Sequence, residues 1–144
     1  MRSEPNIEVS PIVRTITRKL FPFILLFGGY LISHGHLSPG GGFQGGVVAG
    51  SALVLLGLSQ GIQETRQRFS ARRLVRMEYL ALMVFVILCT AGWIRGYAAF
   101  KALFPETIPS EGPILLLNLA IGAKVGAAIT LIFYALGEAK GVDG

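Results

Sequence analysis

Four long apolar blocks, at residues 11–33, 43–62, 77–104 and 113–136, are separated by stretches rich in charge or glycine. Each approaches the roughly 20 residues that a helix needs to cross a hydrocarbon core about 30 Å thick. Such a core cannot hydrate free backbone groups, so the blocks predict an all-α membrane protein of four transmembrane helices in a single domain, 1–144. Ser10 followed by Pro11 is a helix start signal. Pro22, inside the first block, removes one helical hydrogen bond and predicts a kink. Toward the far end of the third block Trp93, Tyr97, Phe100 and Phe104 gather as an aromatic belt would.

Composition agrees with this reading. Apolar residues make up 52% of the 144 positions and charged ones only 15%, with a mean hydropathy of +0.61. The net charge of +5 raises the question of nucleic acid, but the basic residues flank apolar blocks instead of forming one face, so no nucleic-acid partner is expected. Arg2, Arg14, Arg18 and Lys19 precede the first apolar core, Arg66, Arg68, Arg72, Arg73 and Arg76 lie between the second and third blocks, and Lys140 follows the fourth. The other connections hold only Lys101, with Arg95 nearby. By the positive-inside rule the chain is a multi-pass protein of the cytoplasmic membrane with both termini cytoplasmic. The alternative role of the arginine cluster is to bind anionic lipid or a partner. The first twenty residues lack the signal-peptide pattern, so the first block is expected to remain in the mature protein. Cys89, the single cysteine, lies within an apolar run and is read as buried filler.

The second block carries Gly45, Gly46, Gly50, Gly57 and Gly61, and the fourth carries Gly122 and Gly126. Small residues four apart let helices approach closely in lipid, and Gly46/Gly50, Gly57/Gly61 and Gly122/Gly126 fit that spacing. They pack either within this chain or against another subunit. With so few helices to cover several glycine-bearing faces, a multisubunit setting is expected.

Between the first two blocks lies His34-Gly35-His36-Leu37-Ser38-Pro39-Gly40-Gly41-Gly42-Phe43-Gln44-Gly45-Gly46. Its glycine spacing formally matches a dinucleotide fingerprint, but no strand precedes it and a membrane helix follows; a phosphate loop fails for want of the Gly-Lys-Ser/Thr ending. Two histidines at i and i+2, with no further cysteine, histidine or acid nearby, make a poor metal site. No cofactor and no metal are expected. The structural reading is a tight turn opened by Ser38-Pro39, whose glycines allow positive φ or close contact. No Ser/His/Asp, Cys/His or paired-carboxylate set could meet in one pocket, so the chain is not read as an enzyme.

This loop, set between a first span and a glycine-rich second one, resembles the signature of the MnhB/MrpB-type subunit of multisubunit Na+/H+ antiporters, and the four-span layout resembles it too. Archaeal membrane-bound hydrogenases carry similar subunits, and Asn118-Leu-Ala-Ile-Gly-Ala-Lys-Val-Gly-Ala-Ala resembles those versions somewhat more. The resemblance implies a small membrane subunit of a Na+/H+-exchanging complex, with other membrane subunits as partners and the principal proton channels in larger ones. The alternative it leaves is a structural subunit of a redox-driven hydrogenase-type or sulfur-reductase-type complex, with ion translocation in partner subunits.

Lys124 stands near the middle of the fourth block, about 16 Å from either end at 1.5 Å per residue. A lysine there costs roughly 2.5–3.5 kcal/mol on insertion scales and calls for a counter-charge or a polar interior. Its helical neighbours Ala120, Ile121, Ala127 and Ala128 offer no side-chain acceptor, and Glu64 and Glu78 fall at the border of the predicted spans. The expected partner is therefore an acid of another chain. Lys124 belongs to an ion path, forms a static inter-subunit ion pair, or is a neutral lysine hydrogen-bonded to a carbonyl. Asn118, six residues away, points about 120° from it toward a different neighbour. Asn118, His34 and His36 complete the ion-path candidates, the histidines because imidazole titrates near physiological pH.

Overall fold

The computed structural model describes residues 9–35, 41–95 and 112–139. They form α1 (Pro11–His34), α2 (Gly42–Gln60), a short α3 (Ile62–Arg68), α4 (Ala71–Arg95) and α5 (Gly112–Ala139). There is no strand among them, and α1, α2, α4 and α5 are each long and apolar enough to span a membrane. Ser10 caps α1 by accepting the Ile12 N–H at 3.3 Å, and α1 runs through Pro22 without ending. Tyr97, Phe100 and Phe104 lie outside the described residues, as does Lys101.

α5 runs three residues beyond the end expected of the fourth block, the expected end of the third block at 104 lies outside the described residues, and two other boundaries differ for reasons the structure shows. The second block ends early because Gly61, at φ 99°, breaks the helix. Nothing lies within 4 Å of where its Cβ would stand, so Gly61 serves the turn and not helix packing. Thr65, 1% exposed, ties down the new turn by donating its hydroxyl to the Gly61 carbonyl at 3.0 Å. The third helix starts at Ala71, six residues before the apolar block, because Arg72, Arg73 and Arg76 lower the hydropathy there without opposing helix formation.

The helices pack as an open row in the order α1, α2, α5, α4. Half of the most apolar window of α2 is buried, against 11% in α1 and 17% in α4, so α2 is central and the outer two are edges. Antiparallel α1 crosses α2 where a Cβ on Gly45 would stand 2.6 Å from the Gly28 carbonyl. The α2–α5 contact is parallel and in register. Gly42 lies against Asn118, Gly46 against Gly122 and Gly50 against Gly126, an unvarying offset along two four-residue lines. Further along, Gly57 receives the ring of Phe133.

These contacts place Gly46, Gly50, Gly57, Gly122 and Gly126 inside this chain, with Gly61 given to the turn, which corrects the inference that the glycine-bearing faces outnumber the helices available. The row consumes them because α2 offers one glycine line to α5 and separate small positions to α1. Large apolar side chains of the edges are left uncovered instead, including Leu26 and Phe23 of α1 and Leu80 and Met83 of α4. Cys89 is also exposed, because it lies on the outer side of α4 and not in a core.

At the end opposite the glycine-rich loop, α3 and the residue after it, Phe69, are tied to α5. The Tyr134 hydroxyl donates to the Phe69 carbonyl at 3.1 Å, the Arg66 guanidinium lies 5.5 Å from the Tyr134 ring centroid, and Arg66 pairs with Glu138. Tyr134 is 2% exposed and packs with Leu74 and Ala127, which joins this end of α5 to the start of α4. Its desolvated ring is thus held by polar contacts at both edge and face.

Replacing Gly46 with valine brings a Cβ to 2.6 Å from the Gly122 carbonyl and 2.9 Å from Val125 Cβ. The backbones must separate, and a loss of about 1–3 kcal/mol is expected, read as a lower melting temperature by fluorescence-detected size exclusion. Gly29→Ala, where nothing lies within 4 Å, should match the native protein or gain up to about 1 kcal/mol of helix propensity. Gly61→Ala forces an L-residue to positive φ and should cost about 1–2 kcal/mol by the same assay.

Candidate functional site

On α5 a residue's neighbour is set by its angle around the axis. Asn118, Gly122 and Gly126 share the face toward α2, while Lys124, rotated by about 120° from Asn118, faces α4. There its ammonium lies 3.1 Å from Glu78 Oε1, close enough to donate a charge-assisted hydrogen bond. Lys124 is the twelfth residue beyond Gly112, about 18 Å along α5, and Glu78 is seven residues into α4, about 10 Å from its start.

The counter-charge of Lys124 is therefore supplied by this chain, which corrects the expectation of an acid from another subunit. The physical reason is the earlier start of α4. Once Ala71–Arg76 are helical, Glu78 lies two turns inside the helix, with helical backbone on both sides of it. Antiparallel packing of α4 on α5 then brings it level with Lys124, as Leu74 comes level with Ala127. Sequence reasoning missed Glu78, although the cost of a mid-span lysine was itself the signal to look for an acid within a turn or two of every span end.

The pair is incompletely covered. The lysine side chain is 41% exposed and the glutamate side chain 31%, so the α4–α5 seam opens outward at this level. Beside it runs an apolar groove of about 220 Å³, lined by Met77, Leu80, Ala81, Leu116 and Ala120 among others. Lipid tails would fill that groove but could not solvate the charged pair, whose exposed side needs a polar neighbour or water. Among the described residues no group of three or more His, Cys, Asp or Glu could hold a metal ion.

The glycine-rich junction forms a second cluster on the other face of α5. Asn118 Oδ1 accepts the Gly42 N–H at 3.4 Å, so a side chain of α5 satisfies one of the free donors that begin α2. Gly35, Gly41 and Gly42 crowd the same asparagine, and a Cβ on Gly35 would stand 3.1 Å from its Nδ2. Gly122 rests on Ile32 of α1, so three helices meet at this point. Gly45 and Gly46 are buried in the helix contacts, while Phe43 and Gln44 point outward.

His34 is the last residue of α1, exposed, with its ring stacked on Tyr30 at 4.3 Å. His36, Pro39 and Gly40 lie outside the described residues. The structure thus separates Asn118 from Lys124 and joins Asn118 to the loop glycines. It joins Lys124 to Glu78.

Both clusters lie within a stretch of the chain that matches a known family. Residues 12–131 match the model of a domain related to the MnhB subunit of Na+/H+ antiporter. An uncharacterized protein of Methanocaldococcus jannaschii is 30% identical over 141 residues, an alignment covering 90% of this chain and 53% of that protein. The putative antiporter subunit mnhB2 of Staphylococcus aureus is 40% identical over 57 residues, covering 40% of each chain. The chain thus spans about half the length of the first relative and less of the second. With a family match that takes in α1, α2, α4 and most of α5, the chain belongs to the MnhB-related domain family of multi-pass membrane proteins.

Proposed function

We propose that this chain is a non-catalytic membrane subunit of a multisubunit Na+/H+ antiporter, oriented with both termini in the cytoplasm, in which Lys124 and Glu78 form a charged gate beside the ion path. The observation that carries this reading is a mid-helix lysine–glutamate pair left partly uncovered in a member of the MnhB-related family. Inside a membrane the paired state is favoured because neither charge is fully hydrated and each neutralises the other. A cation approaching Glu78, or a proton reaching it, weakens its hold on the ammonium. Lys124 is then free to swing toward a polar group of the subunit that covers the seam. Its position thereby reports the charge state of Glu78 to that neighbour.

Asn118 has a supporting part. By holding the first turn of α2 it fixes the glycine line against α5, and this sets the rotation of α5 that turns Lys124 toward α4. The closed geometry of the ion pair, at 3.1 Å, favours a second reading, in which it only pins α4 to α5.

A charge exchange separates the two. In complexes reconstituted into vesicles, Lys124→Ala and Glu78→Ala should each slow sodium-driven proton movement by about tenfold to a hundredfold, the scale of ~1.4–3 kcal/mol. The doubly exchanged variant, Lys124→Glu with Glu78→Lys, should recover assembly on blue-native electrophoresis but not transport, since the mobile cation now sits on the wrong helix. Recovery of both would leave the pair a static pin and reject the gate.

A further inference from the structure

We propose that the end of the molecule where α1, α2 and α3 meet binds one anionic phospholipid, with its phosphate diester among Arg14, Arg18 and Arg68 and part of an acyl chain in the adjoining cleft. Three guanidinium groups converge there on one carboxylate. Glu64 is 2.8 Å from Arg14, 3.0 Å from Arg68 and 3.8 Å from Arg18. One negative charge against three positive ones leaves an excess of two. The arginine side chains remain 53%, 49% and 61% exposed, so each keeps donors to offer.

Membrane orientation alone does not require this convergence. The positive-inside rule asks only that basic residues lie on one side, whereas here residues from α1 and α3, some 50 positions apart, are focused on one point. Arg14 and Arg18 are also one turn apart on the same helix, a like-charge spacing that the single carboxylate of Glu64, at 2.8 and 3.8 Å, offsets only in part because it is shared with Arg68. Arg14 is held in place by a second hydrogen bond, to the Gln60 carbonyl at 3.4 Å.

The same Arg14 forms one wall of a cleft of about 510 Å³, whose other walls include Val9, Pro11 and Leu58. Val9 and Leu58 are 40% and 62% exposed. Gln60 also lines the cleft, and its buried amide nitrogen has no hydrogen-bond partner among the described residues, which leaves a donor in want of an acceptor beside it. A cationic cluster joined to a cleft walled partly by Val9, Pro11 and Leu58 and partly by Ser59 and Gln60 matches a molecule that is anionic at one end, carries ester oxygens next to it and is hydrocarbon beyond. That amphiphilic chemistry favours a phospholipid over free phosphate, which has no use for the cleft, and over an acidic protein segment, which is not apolar at one end.

The 144-residue chain in mild detergent, incubated with phosphatidylglycerol or with phosphatidylcholine of the same acyl chains, tests this by native mass spectrometry. One phosphatidylglycerol should be retained in preference to phosphatidylcholine, and Arg14→Gln with Arg18→Gln should lower its occupancy by about tenfold or more, at roughly fivefold per arginine. Because Arg14 also braces Gln60, Arg18→Gln alone provides a milder variant, expected to lose about fivefold. Arg72→Gln, on α4 and outside the cluster, should retain lipid like the native chain. Equal retention of both lipids, or no loss in Arg18→Gln, would overturn the proposal. So would displacement of the lipid by millimolar inorganic phosphate, which would assign the site to a free anion, or by an aspartate-rich peptide, which would assign it to a protein partner.

Discussion

Close backbone approach between α2 and α5 governs the rest of this structure. Lipid tails are as apolar as leucine, so two helices in a membrane gain little by hiding apolar side chains from their surroundings. What holds them is contact area, and glycine provides it by letting the backbone of one helix touch the carbonyls of the other. Gly42, Gly46 and Gly50 meet Asn118, Gly122 and Gly126 at one fixed offset, so the contact sets both distance and register. With that register set, the angle of every other residue around α5 is determined.

The ion pair is a consequence of that geometry. If the Asn118–Gly126 line faces α2, Lys124 is turned to the opposite side, where α4 packs antiparallel and offers Glu78. The two specialised faces of α5 therefore divide the work, one apolar and rigid, the other charged. Asn118 adds a polar restraint to the rigid face by taking up a donor at the start of α2, where the chain has just left the glycine-rich loop. A loop motif and a mid-span lysine, far apart in sequence, are thus connected through one helix.

The open row also explains why the molecule exposes so much apolar surface. Among the described spanning helices only α2 and α5 have neighbours on both sides, and the outward faces of α1 and α4 carry large side chains suited to lipid or to other membrane helices. A companion helix would find these edges and the partly exposed ion pair open to it, and not the packing glycines, which are satisfied within the chain. At the arginine-rich end, α3 adds polar ties that a simple loop would lack, drawing α1, α2 and α5 together through Glu64, Arg66 and Tyr134.

Hydropathy alone determined that four helices cross a membrane, because bilayer thickness imposes a length that no soluble packing rule would repeat four times in one chain. The motif around His34–Gly46 and the cost of Lys124 were equally legible, since one is a local string and the other a single residue in the wrong solvent. Tertiary structure alone decided which helices are neighbours, because spacing identifies a glycine line but not the line it meets. It also decided that Glu78 neutralises Lys124. Three arginines masked the first turns of α4 from any hydropathy reading, and only packing against α5 carried the acid from an apparent border to the level of the lysine.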